Sequence, residues 1–340
     1  MEQVKDITII GAGPTGMFAG FYAGMRGASF RIIDTLDQLG GQLAALYPEK
    51  YIFDVAGFPK VLAKDLVRGM AEQLAQWKPA VHLGEKVVGL KRGNGGADAP
   101  LTVVTERAEY PSRTLIIAGG IGAFTPRKLP LKDVDRWYGK GLHDRVLDPQ
   151  VFKGKRLLIV GGGDSAFDWA VNLQGIARSI LMIHRRDGFR AHQATVDQVN
   201  AYCAAGKMEL RTFWELKSIN GADHVESVTV FNSKTKEEET VAMDCVLPQL
   251  GFISSLGVIA EWGLEIEKHD IKVSQTMETN LPGIYAAGDI TTYPGKLKLI
   301  ATGVAEACVA VNHAVHALNP TARFEPGHSS NMAVFGQKDD

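Results

Sequence analysis

Two glycine turns, matched in spacing and opposite in charge, constrain this chain more than any other feature. Gly11-Ala12-Gly13-Pro14-Thr15-Gly16 follows the apolar run Ile7–Ile10, and Gly161-Gly162-Gly163-Asp164-Ser165-Ala166 follows Leu157–Val160. At the same distance beyond each turn another apolar run ends, at Asp34 in the first copy and at His184-Arg185-Arg186 in the second. An apolar run, a glycine turn and a helix-compatible stretch spell strand–turn–helix. The first glycine permits the tight turn, the second lets a pyrophosphate approach the backbone, and the third position must be small for helix and strand to pack. The free N–H groups that open the helix then face phosphate.

The residues at the two later strand ends separate the copies. A carboxylate at Asp34 accepts hydrogen bonds from a ribose diol, as in FAD or NAD, and repels a 2′-phosphate. Arg185 and Arg186 attract a 2′-phosphate through charge-assisted contacts, often bidentate. The chain is therefore expected to bind two different dinucleotides, one of them NADPH or NADP⁺.

At 340 residues the chain has room for two domains, each with a core. Its net charge of −1 gives no general attraction to nucleic acid or a membrane surface. No apolar stretch reaches the length of a bilayer span. The first strand is expected to begin by Ile7, which leaves no room for a signal peptide, and the cytoplasm is the expected location. Cys203, Cys245 and Cys308 form no Cys-x-x-Cys pair, and neither a disulfide framework nor a metal site is expected.

Residues 5–34 read as strand, helix, strand, with the helix from about Thr15 to Gly27. A second helix is expected from Ala63 to Trp77, a turn over Gly93–Pro100, and a buried strand at Leu115–Ala118. In the middle of the chain, helices are expected at Asp164–Ile176 and Gln193–Ala205, and a hairpin over 225–246 around Lys234–Glu239. A last helix is expected from Thr302 to Leu318. The two glycine units form a distant internal repeat. The expected domains are a discontinuous one, 1–118 with 283–340, and an inserted one, 119–282.

With these residues in view, the chain resembles the flavoprotein reductases that carry two dinucleotide-binding domains, the bacterial thioredoxin reductases among them. The resemblance rests on both glycine turns, on His184-Arg185-Arg186 with Arg190, and on Gly283-Ile284-Tyr285-Ala286-Ala287-Gly288-Asp289. It implies an α/β fold of two Rossmann-like domains. Thioredoxin reductases place a Cys-x-x-Cys pair after a Gly-Lys-Gly sequence; here Gly139-Lys140-Gly141 leads into Leu142-His143-Asp144 instead. A dithiol relay needs two apposed sulfurs, so electrons must leave the flavin by another route.

A closer resemblance is to the ferredoxin–NADP⁺ reductases of the thioredoxin-reductase-like type. It is carried by Gly40-Gly41-Gln42-Leu43, by Tyr47-Pro48-Glu49-Lys50-Tyr51, by Gly161–Ala170 and His184–His192, and by the tail with His328-Ser329-Ser330. The resemblance implies electron transfer between NADPH and ferredoxin (or flavodoxin) through FAD; a general NADPH-dependent diaphorase or quinone reductase is the alternative. For FAD it implies Gly11, Gly13, Thr15, Gly16, Asp34, Gln42, Tyr47, Val87, Phe124, Asp289 and Ser330. Tyr47 is expected to stack on one face of the isoalloxazine and His328 on the other. For NADPH it implies Gly161, Gly163, Asp164, Ser165, Ala166, His184, Arg185, Arg186 and Arg190. A homodimer is expected, in which the tail reaches the partner's flavin. Lys50, Lys296 and Lys298 are candidate contacts for an acidic ferredoxin, and the last helix is expected to point its positive end at the flavin.

Overall fold

The computed structural model describes residues 2–93, 100–146, 148–324 and 327–335. Its α-helices are α1 (Pro14–Met25), α2 (Gln42–Ala45), α3 (Ala63–Ala75), α4 (Asp164–Leu173), α5 (Gln193–Ala204) and α6 (Ile300–Leu318). The chain divides into two compact units. One runs to Ala123 and resumes at Ser254; the other is Phe124–Ile253.

The first unit is organised by one sheet. Ala80–His82, Phe30–Ile33, Lys5–Ile10 and Glu109–Ile117 lie side by side, all parallel. The strand Glu109–Ile117 divides its far edge. Its first half pairs antiparallel with Leu101–Thr105, and its second half pairs parallel with Ile284–Ala286. The order reverses between Lys5–Ile10 and Glu109–Ile117, so a crevice opens beyond their carboxyl ends, where such sheets bind ligands. Ile7, Ile9, Ile32, Leu115, Ile116 and Ile117 are fully buried. Near-continuous apolar strands of this kind suit a sheet covered on both faces. α1 and α6 pack on this core through Met17, Ala19, Ala23, Ala307, Ala310 and Val311.

The second unit repeats the plan. Glu209–Thr212, Ser179–His184, Arg156–Gly161 and Cys245–Gln249 form a four-stranded parallel sheet. Side chains alternate across it, as a two-residue repeat dictates. Leu157 and Ile159 face a core shared with Phe167, Ala170 and Val199 of α4 and α5. Leu158 and Val160 face the opposite side, against Leu216, Val228 and Val230. These last belong to an antiparallel meander, Trp214–Asn220, Ser227–Asn232 and Glu238–Ala242. The hairpin expected around Lys234–Glu239 is its second turn, but Cys245–Gln249 leaves the hairpin and joins the parallel sheet.

The division differs from the expected 119–282. Residues 254–282 belong with the first unit because Ile259, Leu264, Ile271, Val273 and Met277 are buried in its core. Their small sheet pairs Ile271 and Lys272 with Thr291 and Thr292 of the same unit. Most helices end two or three residues short of the sequence expectation, and α6 starts two residues early. Thr302 occupies its third position: the hydroxyl accepts the Leu299 N–H and donates to the Leu297 carbonyl. Of the expected Gly93–Pro100 turn, residues 94–99 lie outside the described residues; the strands on either side, Val87–Arg92 and Leu101–Thr105, pair antiparallel.

Arg156 and Asp244 lock the amino ends of two adjacent strands in the second unit. The guanidinium donates through Nε at 3.1 Å and Nη2 at 2.6 Å, and the Arg156 backbone N–H adds a third bond at 2.7 Å. These donors hold the Asp244 carboxyl down at about 2, from an ordinary 3.8. A carboxyl depressed by folding contributes stability above its unfolded value and loses it as pH falls through the folded one. Asp244→Asn is therefore expected to flatten the acid limb of the unfolding curve between about pH 4 and pH 2. Thermal unfolding of both proteins across that range checks it; parallel acid limbs would contradict it.

Candidate functional site

Each sheet ends in a glycine cradle, and the two are built alike. A Cβ on Gly11 would lie 2.3 Å from the Ala118 carbonyl oxygen; one on Gly161 would lie 2.4 Å from that of Gln249. In both units the first glycine is thus pressed against the end of the neighbouring parallel strand. The third position differs by a methyl. A Cβ at Gly16 would sit 1.8 Å from the Gly11 carbonyl oxygen, whereas the second turn accommodates Ala166.

The second glycines face open space. Nothing lies within 4 Å of a Cβ on Gly163, and a Cβ on Gly13 would meet only the Gly41 Cα, at 3.8 Å. Both cap a helix start without any side-chain hydrogen bond. The first N–H groups of α1 and α4 are left to whatever occupies the bare backbone. Around the first turn the lining stays thin: Gly41 lies against Gly13, and the Gln42 amide nitrogen comes 3.1 Å from the place of a Cβ on Gly120. A cradle lined by missing side chains at an uncapped helix start fits a pyrophosphate.

Asp34 follows the strand Phe30–Ile33, and its carboxylate turns back onto the glycine turn. Oδ2 accepts the Ala12 N–H at 2.5 Å and Oδ1 the Leu36 N–H at 2.8 Å. Burial pushes this carboxyl up, against the opposing pull of the Ala12, Leu36 and Thr35 amides. Each oxygen keeps a lone pair for a ribose hydroxyl. On the far side of the cradle, Asp289 is half-buried and its carboxyl is also raised by burial, with Lys296 and Lys298 pulling the other way. Tyr47 shares this corner: burial, and then the Asp289 charge, raise its phenol, which stays protonated at neutral pH. Thr15 does something the sequence did not suggest. Its hydroxyl fills the space where Cβ atoms on Gly288 and Gly303 would be, at 2.7 and 2.4 Å. It is the spacer between α1, α6 and the Gly288-Asp289 turn.

In the second unit the segment after His184 folds back over its glycine turn. The Arg190 N–H donates to the Gly162 carbonyl at 2.8 Å, and the His192 N–H donates to Asp164 Oδ1 at 2.9 Å. The Asp164 carboxylate is thus a clamp for this loop. The His184 ring occupies the place of a Cβ on Gly162, 2.4 Å away. Burial lowers the His184 pKa, the Gly188 backbone opposes, and Arg185 and Arg186 push it further down, so the ring is neutral at pH 7. Arg185, Arg186 and Arg190 are exposed, and among the described residues none has an acidic partner. Three unpaired guanidiniums on one loop suit a phosphate dianion.

The structure thus brings Gly11, Gly13, Thr15, Gly16, Asp34, Gln42, Tyr47 and Asp289 to one end of the first sheet. Gly161 to Ala166, His184 and the three arginines gather at the equivalent end of the second. Val87 opens the strand that follows Glu85, whose N–H bonds the Asp34 carbonyl. The Phe124 side chain lies outside the described residues. His328 and Ser330 are exposed in the tail, and neither side chain has a hydrogen bond or ring contact among the described residues. The tail is held instead by Phe324 on His313 and His316, and by Phe335 on Phe21 and Trp77. One expectation is corrected. Lys296 is no exposed docking lysine: its side chain is 6 % exposed and ion-paired with Glu306, itself 5 % exposed. Lys298 is bound to Asp270. Glu306 was missed, although it is the only acid in α6 and is followed by the mostly apolar run Ala307–Val311, where a lone carboxylate needs a buried partner.

Fold and site together define a protein with two dinucleotide cradles of opposite charge preference. Residues 5–314 match the pyridine nucleotide-disulphide oxidoreductase family, and the chain belongs to it. It is 49 % identical over 331 residues to the ferredoxin–NADP reductase of Thermus thermophilus, covering 97 % of this chain and 98 % of that one. It is 48 % identical over 332 residues to that of Geobacillus kaustophilus, with the same coverage. Among solved structures it is similar to the thioredoxin reductase of T. acidophilum, with TM-score 0.77 at 25 % identity over 94 % of this chain and 100 % of that one. The Lactococcus lactis thioredoxin reductase gives 0.75 at 26 %, over 91 % and 97 %.

The Thr15 spacer makes Gly288 intolerant of any side chain. Its φ is +84°, where an L-residue costs about 1–2 kcal/mol, and its Cβ would strike the Thr15 hydroxyl. Gly288→Ala is expected to lower the stability of the first unit by at least that amount, read as a lowered Tm. An unchanged Tm would contradict the packing described.

Proposed function

We propose that the chain is a ferredoxin–NADP⁺ reductase that uses FAD to carry electrons between NADPH and a ferredoxin (or flavodoxin). The observation that carries this reading is near-50 % identity along almost the whole chain to relatives of that name, in a chain with no cysteine pair. Cys203, Cys245 and Cys308 are all free thiols. Without two apposed sulfurs the thioredoxin reductase relay is not available. FAD, when bound, links two-electron hydride transfer to one-electron carriers.

The residues divide the work of holding the two nucleotides. Asp34 takes the adenosine ribose of FAD, the α1 N-terminus and bare Gly13 take its pyrophosphate, and Asp289 takes its ribityl side. Gln42, Val87 and Phe124 complete the FAD contacts. Tyr47, protonated beside Asp289, covers one face of the ring system. On the resemblance stated above, His328 serves the other face from the tail of a second copy in a cytoplasmic homodimer, and Ser330 is a further FAD contact. Sedimentation at monomer mass would contradict that arrangement. Gly163 and the α4 N-terminus, with Ser165 and Ala166, receive the NADPH pyrophosphate. Neutral His184 braces the loop that presents Arg185, Arg186 and Arg190 to the 2′-phosphate, and Asp164 ties that loop down.

The direct test is anaerobic titration of the purified protein with NADPH, followed by an oxidised iron–sulfur acceptor. Bleaching of a flavin spectrum by NADPH and its return on adding ferredoxin are expected. A colourless protein that takes up no flavin, or one that reduces dyes and never ferredoxin, would contradict the reading. Charge-assisted hydrogen bonds are worth roughly 1.5–3 kcal/mol each. Replacing Arg185 and Arg186 by Ala is therefore expected to cut the preference for NADPH over NADH by about a hundredfold or more. The ratio of kcat/KM values reads this, and an unchanged ratio would refute the assignment.

A further inference from the structure

The cluster behind Asp289 is the part of the first unit that the cofactor contacts named above do not explain. Glu306 Oε2 accepts the Gly288 N–H at 2.7 Å. Glu306 Oε1 accepts the Tyr293 hydroxyl and the Lys296 ammonium. Desolvating an ammonium and a carboxylate costs several kcal/mol per ion, and a packed apolar pair often serves a core as well. A buried ion pair here therefore calls for a role beyond stability, and its position supplies one. The carboxylate grips the amide of the residue that delivers Asp289, while the Thr15 hydroxyl blocks the same residue from the other side. The turn is thereby fixed from two directions.

The charges nearby are balanced in a particular way. Lys296 pairs with Glu306, and Lys298 pairs with Asp270 at 2.8 Å. The two lysines and two acids cancel, and these are the charges that act on Asp289. Among the described residues Asp289 itself has no ion-pair partner. We propose that Lys296 and Glu306 are positioning residues for the flavin site: with the Lys298–Asp270 pair they hold the Gly288-Asp289 turn and set the charge it presents to the bound flavin. This rests on the flavin reading above.

The test is the flavin midpoint potential of the FAD-loaded protein. Lys296→Met adds one net negative charge beside the site, which disfavours electron uptake and lowers the potential. Glu306→Gln removes one and raises it. The double variant returns close to the parent. Each single change is expected to alter the relative affinity for oxidised and reduced flavin at least tenfold, about 30 mV for a two-electron couple. Lys298→Met and Asp270→Asn, on the more exposed pair, are expected to shift it in the same opposite senses by less, and they keep the test open if the buried variants do not fold. A merely structural role would lower Tm without giving shifts of opposite sign. Folded, flavin-loaded variants whose potentials move together or not at all would overturn the proposal. Parent protein that takes up no flavin would instead overturn the reading on which it rests.

Discussion

Everything at both sites depends on one steric constraint: the first residue of each glycine turn lies so close to the end of the neighbouring parallel strand that no side chain fits. At Gly11 the obstacle is the Ala118 carbonyl, and at Gly161 it is the Gln249 carbonyl. That approach sets where the strand turns. The turn sets where α1 and α4 begin, and their uncapped starts set where an anion can sit. The crevice at the reversal of strand order is the consequence in each unit.

The two cradles then diverge through what the following strand delivers. In the first unit a carboxylate folds back onto the Ala12 and Leu36 amides, and burial raises its pKa. A raised carboxyl opposes folding at neutral pH and relaxes as pH falls toward its unfolded value. The cradle therefore contains a group that gains from new hydrogen-bond donors, which a ribose would bring. In the second unit the corresponding position is an imidazole, held neutral by burial and by two adjacent guanidiniums. One loop carries three guanidiniums that have no acidic partner among the described residues, and the other cradle concentrates negative charge at Asp34 and Asp289. On the proposed function, selectivity between nucleotides would follow from this contrast.

Much of this was legible in the sequence because glycine spacing, strand periodicity and charge at a strand end are local signals. The turns, Asp34, the arginine loop and the order of elements follow from them. What was not legible depends on contacts between distant segments. The boundary near 254 is decided by Ile259, Ile271 and Met277 choosing the first core, and no local signal marks that choice. Lys296 reads as a surface lysine until α6 places Glu306 beside it. Thr15 reads as a helix-start residue until Gly288 and Gly303 close around its hydroxyl. Asp164 reads as a nucleotide contact, and the structure gives its carboxylate a second task, accepting the His192 amide.

The central claim is that two independent cradles, one per unit, each take one nucleotide on bare backbone. Gly13 and Gly163 test it most directly, because neither needs to be glycine for the fold. Their φ values are −72° and −105°, open to any L-residue, and neither Cβ would meet a neighbour closer than 3.8 Å. Binding of FAD and of NADP⁺ should be measured separately on Gly13→Ala and Gly163→Ala, with Tm as the control for folding. The account predicts parent-like Tm in both when compared free of nucleotide, loss of FAD affinity with NADP⁺ affinity kept in the first, and the reverse in the second. Loss of both ligands in either variant, or of neither in both, would contradict it.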